Sequence, residues 1–249
     1  MAVLALDTAT STLSVAVVEE VPPRERPGPP PAVPGVSVLG ERAVDADRRH
    51  AELLAPTIRD LLRGGRPDRI VVGVGPGPFT GLRVGVATAR ALGQAWGVPV
   101  DGVCSLDACG AAAAYGAGGG AGGEVVVVTD ARRREVYTAR YRDGRRISGP
   151  AVVTPAQLAD ELAARPARVV GEGARRYPEL LGPGEPPWTP SAVWLVAALV
   201  TGAAERRDPL PAYLRRPDVT VPSAALTPPG PPPVGPATVV AAAVGEVTG

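Results

Sequence analysis

Hydrophobic residues in the first third of the chain fall into short runs that are typical of a mixed α/β fold. Residues 3–6 and 13–18 are apolar stretches joined by a polar turn, which predicts a β-hairpin. A third strand is expected at 36–39. Residues 49–63 place apolar side chains at helical spacing and predict a helix, whereas the β-branched run 69–74 predicts a buried strand.

The second half of the chain repeats this alternation of strands and helices. Thr154 and Gln157 have the spacing of a helix capping box, and Pro155 occupies the first helical position. The predicted elements are a helix at 106–114, a hairpin from 124–129 and 135–141, a helix at 154–164, a strand at 169–171 and a helix at 191–205. The pattern predicts two α/β lobes.

The lobe boundaries follow from changes in composition. We predict an N-terminal α/β lobe at 1–102, interrupted by a proline-rich insertion at 21–35, and a C-terminal α/β lobe at 103–220. Residues 221–249 form a proline-rich tail, which is expected to be flexible because its composition supports neither a helix nor a packed strand.

A glycine-rich turn at 75–78 precedes a helix predicted at 80–96, with Thr80 as a candidate N-cap. Small residues recur on one face of this helix, at Gly81, Gly85, Ala89 and Gly93. Glycine costs about 1 kcal/mol relative to alanine inside a helix, so the stripe requires close approach of another backbone, from this chain or a second one. Phosphate binding is the alternative, but the chain has no lysine and therefore no P-loop.

Composition narrows the function classes. The net charge is +1, from 26 basic and 25 acidic residues, so no strong field draws the whole molecule to RNA or an anionic membrane. Two cysteines, Cys104 and Cys109, and one histidine do not form a usual zinc site, and buried free thiols are expected. There is no signal peptide and no apolar run of membrane-spanning length, so we expect a cytoplasmic protein without membrane contact.

Residues 75–85, GPGPFTGLRVG, resemble the signature of the bacterial TsaB (YeaZ) family, usually written GPGSFTGLRIG. Pro78 replaces the usual serine, which removes a hydroxyl and an amide from the turn. The likeness extends in order over about residues 1–217. Further segments that resemble the family are LALDTAT at 4–10, HAELLAP at 50–56, VPVDGVCSL at 98–106, DARRREVY at 130–137 and PAYLRRP at 211–217.

This resemblance implies the two-lobed, duplicated actin-like (RNase H-like) ATPase fold. It also implies a non-catalytic subunit that binds and activates a TsaD-type transferase in the complex that makes threonylcarbamoyladenosine, beside the anticodon of tRNA. A TsaE-type ATPase is the second expected partner, tRNA would be reached through the complex, and the isolated chain is expected to be a homodimer. No cofactor is expected, because ATP would be used by the complex and not hydrolysed by this chain.

In the family, two helices of the N-terminal lobe pair with the same helices of the catalytic paralogue. Carried to this chain, the resemblance places the partner interface at His50, Leu54, Ile58, Gly81, Arg83, Gly85, Ala89 and Gly93. His50 is then a residue at the start of a surface helix. On this interpretation Gly85→Leu blocks partner binding without unfolding the lobe.

The alternative function is an autonomous actin-fold ATPase or small-molecule phosphotransferase that uses the first hairpin turn. Asp7, Thr8 and Thr10 would then face nucleotide and metal, although a hydrogen-bonded polar turn explains them without a ligand. Metal peptidase activity is disfavoured because the chain has one histidine. The arginine-rich stretch 132–146 offers tRNA phosphates a contact, but its interspersed acidic residues favour a solvated hairpin surface.

Overall fold

Two mixed β-sheets organise the part of the chain that this computed structural model describes, residues 1–21, 33–116 and 123–215. The described residues form one compact unit, and residues 216–249 lie outside the described ranges. The predicted flexible tail at 221–249 and most of the predicted insertion at 21–35 also lie outside them.

The described elements follow the alternation expected from the sequence. The strands are β1 (Ala2–Asp7), β2 (Thr12–Glu20), β3 (Val36–Asp45), β4 (Arg69–Gly73), β5 (Val100–Val103), β6 (Glu124–Asp130), β7 (Val136–Arg142), β8 (Arg145–Val153) and β9 (Arg168–Val170). The helices are α1 (His50–Leu62), α2 (Phe79–Trp96), α3 (Ser105–Tyr115), α4 (Pro155–Ala164), α5 (Glu172–Arg176), α6 (Pro178–Leu181) and α7 (Ala192–Val200).

The first sheet has the strand order β3-β2-β1-β4-β5, antiparallel from β3 to β1 and parallel from β1 to β5. Side chains of β1 alternate between its two faces, as a pleated strand requires. Leu4 and Leu6 pack in the core beneath α1 and α2, whereas Val3 and Ala5 pack against α7. A helix from the C-terminal half of the chain therefore completes the core of the first sheet.

The second sheet has the order β8-β7-β6-β9, with β6 and β9 parallel and the other pairs antiparallel. Its two faces are covered by α3 on one side and by α4, α5 and α6 on the other. The two sheets agree with the predicted pair of α/β lobes. The exact boundary near residue 102 stays a prediction.

Some predicted elements differ from the structure in extent. The capping box of Thr154 and Gln157 is confirmed, with each side chain bonding the other residue's backbone N–H. The third strand is longer than predicted, α7 ends at Val200, and the strands β5 and β8 were not predicted. β8 contains Gly149 and Pro150, residues that normally signal the end of a strand.

After α7 the chain returns to the first sheet through residues 206–215, which we call the C-terminal strap. Arg207 pairs with Gly102 of β5 through two backbone hydrogen bonds of 2.8 and 2.9 Å. The Ala212 N–H donates to the carbonyl of Val74, just before the glycine-rich turn, at 2.8 Å. These hydrogen bonds therefore hold the strap beside the start of α2.

Candidate functional site

The glycine-rich turn joins β4 to α2 and is fastened to α3. The Gly75 N–H donates to the Ser105 hydroxyl at 3.1 Å, and the Ser105 N–H donates to the Gly75 carbonyl at 2.8 Å. Gly75 has φ +97°, a conformation that favours glycine. The predicted cap at Thr80 is wrong, because α2 begins at Phe79 and Pro78 holds the N-cap position without a side-chain bond.

The small-residue stripe of α2 faces the interior of this chain. A side chain at Gly81 would meet the carbonyl oxygen of Thr8, and one at Gly85 would meet the Thr8 hydroxyl. That hydroxyl donates to the Gly81 carbonyl at 2.8 Å. Gly93 abuts Val100, and Ala89 is fully buried in the core beneath the first sheet. Gly81 and Gly85 therefore admit the chain's own β1–β2 turn, whereas Gly93 admits the segment 98–100 that leads into β5.

The predicted interface residues of α1 are also interior. Leu54 and Ile58 are buried in the same core as Val86 of α2. His50 is buried as well, and its Nε2 lies 2.9 Å from the carbonyl oxygen of Thr10. The expectation that these residues lie on the surface is wrong, because the apolar face of α1 supplies the core.

Arg83 is the one predicted interface residue that the structure leaves exposed. The Arg83 Nε donates to the Tyr213 hydroxyl at 3.0 Å, and its guanidinium lies beside the stacked rings of Phe79 and Tyr213. No local sequence pattern signals this contact, since Tyr213 lies 130 residues further along the chain.

The outward face of the two helices combines alanines with long polar side chains such as Glu52, Arg59 and Gln94. α1 exposes Ala51 and Ala55, and α2 exposes Ala87 and Ala91. The two helices contact each other, so these residues belong to one continuous helical layer on the first sheet. Four exposed alanines leave the helix backbones open to close approach by another helix.

Asp7, one of the three residues predicted to face nucleotide, is committed to internal hydrogen bonds. Its Oδ1 accepts the Ala9 N–H at 2.8 Å and its Oδ2 accepts the Ser105 hydroxyl at 2.5 Å. Burial raises the pKa of Asp7 to about 6, although the hydrogen bonds from Ser105 and Ala9 oppose that shift. The carboxylate links the first hairpin turn to the start of α3.

We expect Asp7→Asn to change the pH dependence of stability. The pKa of Asp7 rises from 3.8 to about 6 on folding, so the folded state binds more protons between these values and stability falls as pH rises through them. An asparagine removes the buried charge, and its Oδ1 can still accept the Ala9 N–H, but its amide NH2 can only donate toward the Ser105 hydroxyl. Relative to wild type, the free energy of unfolding of the variant should be higher by on the order of 2 kcal/mol above pH ~6 and should differ little below pH ~4. Urea unfolding of both proteins across this range checks it, and a difference that does not vary with pH contradicts it.

Thr8 and Thr10 are buried like Asp7. Thr8 bonds the backbone of α2, as described above, and the Thr10 hydroxyl accepts the Thr12 N–H at 3.2 Å. The turn is therefore held by its own hydrogen bonds, which is the explanation that requires no ligand.

A cleft of about 570 Å³ lies beside this turn. Its lining includes Thr10 and Ser11 from the first sheet's hairpin and Arg132 from the β6–β7 loop. Within the cleft, the Asp130 carboxylate forms ion pairs with the guanidinium groups of Arg132, at 3.7 Å, and of Arg176, at 3.3 Å. The sequence singles out the first hairpin turn as a candidate site. It does not identify the other charged lining residues, which are Asp45, Asp47, Glu172, Arg175 and Arg176. Burial raises the pKa of Glu172, and the nearby Asp130 adds to that effect.

The arginine-rich stretch 132–146 does not form one exposed basic surface. Arg140 is 2% exposed and pairs with Glu124 at 2.8 Å and Glu161 at 3.0 Å. Arg146 pairs with the buried Asp107 at 3.0 Å. Arg140 and Arg146, which belong to the stretch considered for tRNA contact, therefore form ion pairs within the second lobe instead.

Cys104 and Cys109 are buried, as predicted, and burial raises the pKa of Cys104 to about 12. Within the described ranges, no three His, Cys, Asp or Glu side chains are grouped so that they could hold a metal ion. No helix in the same ranges is both long enough and apolar enough to cross a bilayer.

Comparison with known proteins gives these features a family context. A family model described as "TsaD: tRNA N6-adenosine threonylcarbamoyltransferase" matches residues 44–176. The chain is 44% identical to an uncharacterized protein of Mycobacterium tuberculosis, over 87% of this chain and 92% of that protein. It is 29% identical to the tRNA threonylcarbamoyladenosine biosynthesis protein TsaB of Bacillus subtilis, over 57% of this chain and 55% of that protein.

A solved structure shows the same fold. YeaZ from Pseudomonas aeruginosa superposes with a TM-score of 0.61 at 29% identity, covering 86% of this chain and 99% of that chain. Together with the two sheets described above, this similarity confirms the predicted actin-like (RNase H-like) ATPase-type fold.

Proposed function

Because the chain belongs to the TsaD-related family of tRNA threonylcarbamoyladenosine proteins and is TsaB/YeaZ-like within it, we propose that it is the partner subunit of a TsaD-type transferase. Its relatives support a part in the synthesis of threonylcarbamoyladenosine in tRNA. In this role the chain binds and activates the transferase and performs no chemistry of its own.

The observation that carries this proposal is the exposed alanine face of α1 and α2. Ala51 and Ala55 of α1 and Ala87 and Ala91 of α2 place little between the helix backbones and a neighbour. A pair of partner helices can therefore pack at short interaxial distance, and two helix pairs of this kind form a four-helix arrangement. This face replaces the interior glycine stripe as the proposed contact.

The interior of the chain is consistent with a supporting role. Its single histidine is buried against the Thr10 carbonyl, and both oxygens of Asp7 bond other parts of the chain. These groups are therefore used to hold the lobe together. ATP is then used by the complex and not by this chain.

The other partners follow from the same role. A TsaE-type ATPase would join the pair, and tRNA would be bound through the complex in the cytoplasm. In the absence of the transferase, a second copy of the chain would cover the alanine face and form a homodimer.

A second candidate function rests on the 570 Å³ cleft. Hydroxyls of Thr10 and Ser11 and the guanidinium of Arg132 line it, and a phosphate-bearing ligand could use both kinds of group. An autonomous ATPase or phosphotransferase would bind nucleotide there as an isolated chain.

One experiment separates the two functions. The purified chain is mixed with the TsaD-type subunit of the same organism, and the mass of each protein alone and of the mixture is measured by light scattering after gel filtration. ATP hydrolysis by the chain alone is measured in parallel. We expect an equimolar complex and no hydrolysis by the chain. Absence of a complex together with hydrolysis would favour the phosphotransferase.

A further inference from the structure

Arg83 is held in place at the exposed start of α2 by an aromatic pair. The rings of Phe79 and Tyr213 stack with centroids 4.0 Å apart and an interplanar angle of 11°. The Arg83 guanidinium carbon lies 5.3 Å from the Phe79 centroid and 5.9 Å from that of Tyr213. The 3.0 Å hydrogen bond from its Nε to the Tyr213 hydroxyl fixes the direction of the planar group. We call these three residues the arginine clamp.

The clamp lowers the entropic cost of binding a partner through Arg83. A free arginine side chain loses considerable rotamer entropy when it binds, whereas this one is already restrained. The hydrogen bond uses only Nε, so the guanidinium keeps terminal N–H donors for a second, planar acceptor. Arginine and tyrosine are also the residue types that dominate binding energy at protein interfaces.

The charge of the clamp is not neutralised within the described part of the chain. The exposed Arg83 side chain contacts Tyr213 and Phe79 there and forms no ion pair with a described carboxylate. α2 contains no acidic residue, and Arg90 follows two turns later on the same exposed side. Arg90 likewise has no ion pair among the described residues. The exposed side of α2 therefore carries two unmatched positive charges.

We propose that the arginine clamp binds a carboxylate of the TsaD-type transferase and is the dominant contact of that interface, an inference that rests on the proposed function. Phe79 and Arg83 of the clamp lie in the first turns of α2. The exposed alanines of the same helix form the proposed docking face, so the clamp and that face belong to one continuous surface. A carboxylate matches the planar guanidinium with two parallel hydrogen bonds.

A protein carboxylate fits this surface better than an RNA phosphate. Phosphate recognition usually recruits several cations, whereas the strap that supplies Tyr213 also exposes the apolar side chains of Leu210 and Leu214. A surface that combines a charged group with exposed apolar side chains is typical of a protein interface in which the ion pair becomes desolvated.

The test measures binding of Arg83 variants to the TsaD-type subunit by titration calorimetry. Arg83→Met should weaken binding about 30-fold. Arg83→Lys keeps the charge but not the planar pair of donors, and it should weaken binding about 10-fold. Tyr213→Phe keeps the ring stack and removes the hydrogen bond that orients Arg83, so it should weaken binding a few-fold. Arg145→Met, at an exposed arginine of β8 in the second sheet, is the control and should bind like wild type.

A charge-swap series identifies the partner group. Arg83→Glu should abolish binding, and one arginine substitution among the exposed carboxylates of the transferase should restore it. Thermal unfolding of each variant shows that the lobe is intact. Wild-type affinity should also fall as sodium chloride rises from about 0.1 to about 0.5 M, more steeply than that of Arg83→Met.

Each alternative outcome has a definite meaning. If Arg83 variants bind the transferase normally while Ala87→Trp does not, the clamp proposal is overturned and the proposed function stands. If the variants keep the transferase but weaken tRNA binding, the clamp contacts phosphate and the proposal is likewise wrong. If the wild-type chain does not bind the transferase at all, both the clamp proposal and the proposed function fail.

Discussion

Gly85→Leu is expected to destabilise the protein by more than about 4 kcal/mol and to leave little folded material at 37 °C. A side chain at this position meets the Thr8 hydroxyl, which itself donates to the carbonyl of Gly81. Relieving the clash would move α2 away from the β1–β2 turn and expose the core beneath it. Urea unfolding followed by circular dichroism measures the loss.

Ala87→Leu supplies the matched control for this prediction. Ala87 lies on the exposed side of the same helix, so a leucine there enters solvent and should change stability by less than about 1 kcal/mol. If Gly85→Leu instead unfolds at the wild-type urea concentration but no longer binds the transferase, the stripe belongs to the partner surface and the interior assignment is wrong.

Ala87→Trp is expected to weaken binding to the TsaD-type subunit about 1,000-fold, equivalent to about 4 kcal/mol. The reason is steric: a tryptophan on the exposed alanine face separates helices whose packing depends on short side chains. The folded state should be unaffected, because position 87 is exposed in the isolated chain. Titration calorimetry with the wild-type transferase gives the affinity.

Ala163→Trp is the matched control. It makes the same change at an exposed alanine of α4, a helix that packs on the second sheet. This variant should bind the transferase like wild type. Equal loss of binding in both variants would point to a general effect of an added tryptophan, and retention of binding by Ala87→Trp would remove α2 from the interface.

The sequence predicted most of the fold because the relevant signals are local. Short apolar runs on either side of a polar turn located β1 and β2, and the Thr154 to Gln157 spacing located the start of α4. β5 and β8 were missed for local reasons too, since the first is short and the second contains Gly149 and Pro150.

The candidate site was harder to predict because its contacts are distant in sequence. Spacing correctly indicated that the glycines of α2 admit a close neighbour, but not that Thr8 of the same chain is that neighbour at Gly81 and Gly85. His50 and Arg140 have polar side chains that composition assigns to the surface, yet each is buried with a bonding partner. The stack of Phe79 on Tyr213 joins residues with no local pattern between them.

This revised surface changes which residues should be used to study the complex. Substitutions in the glycine stripe report on folding, whereas Arg83 and the exposed alanines of α2 report on association. Keeping the two sets apart prevents a loss of stability from being interpreted as a loss of binding.

The most direct test of the central claim is threonylcarbamoyl transfer to tRNA by the TsaD-type subunit, assayed with the other required components and with or without this chain. We predict that modified adenosine forms only when the chain is present, and that Ala87→Trp fails to support the reaction whereas Ala163→Trp supports it fully. Transfer at the same rate without the chain would contradict the account.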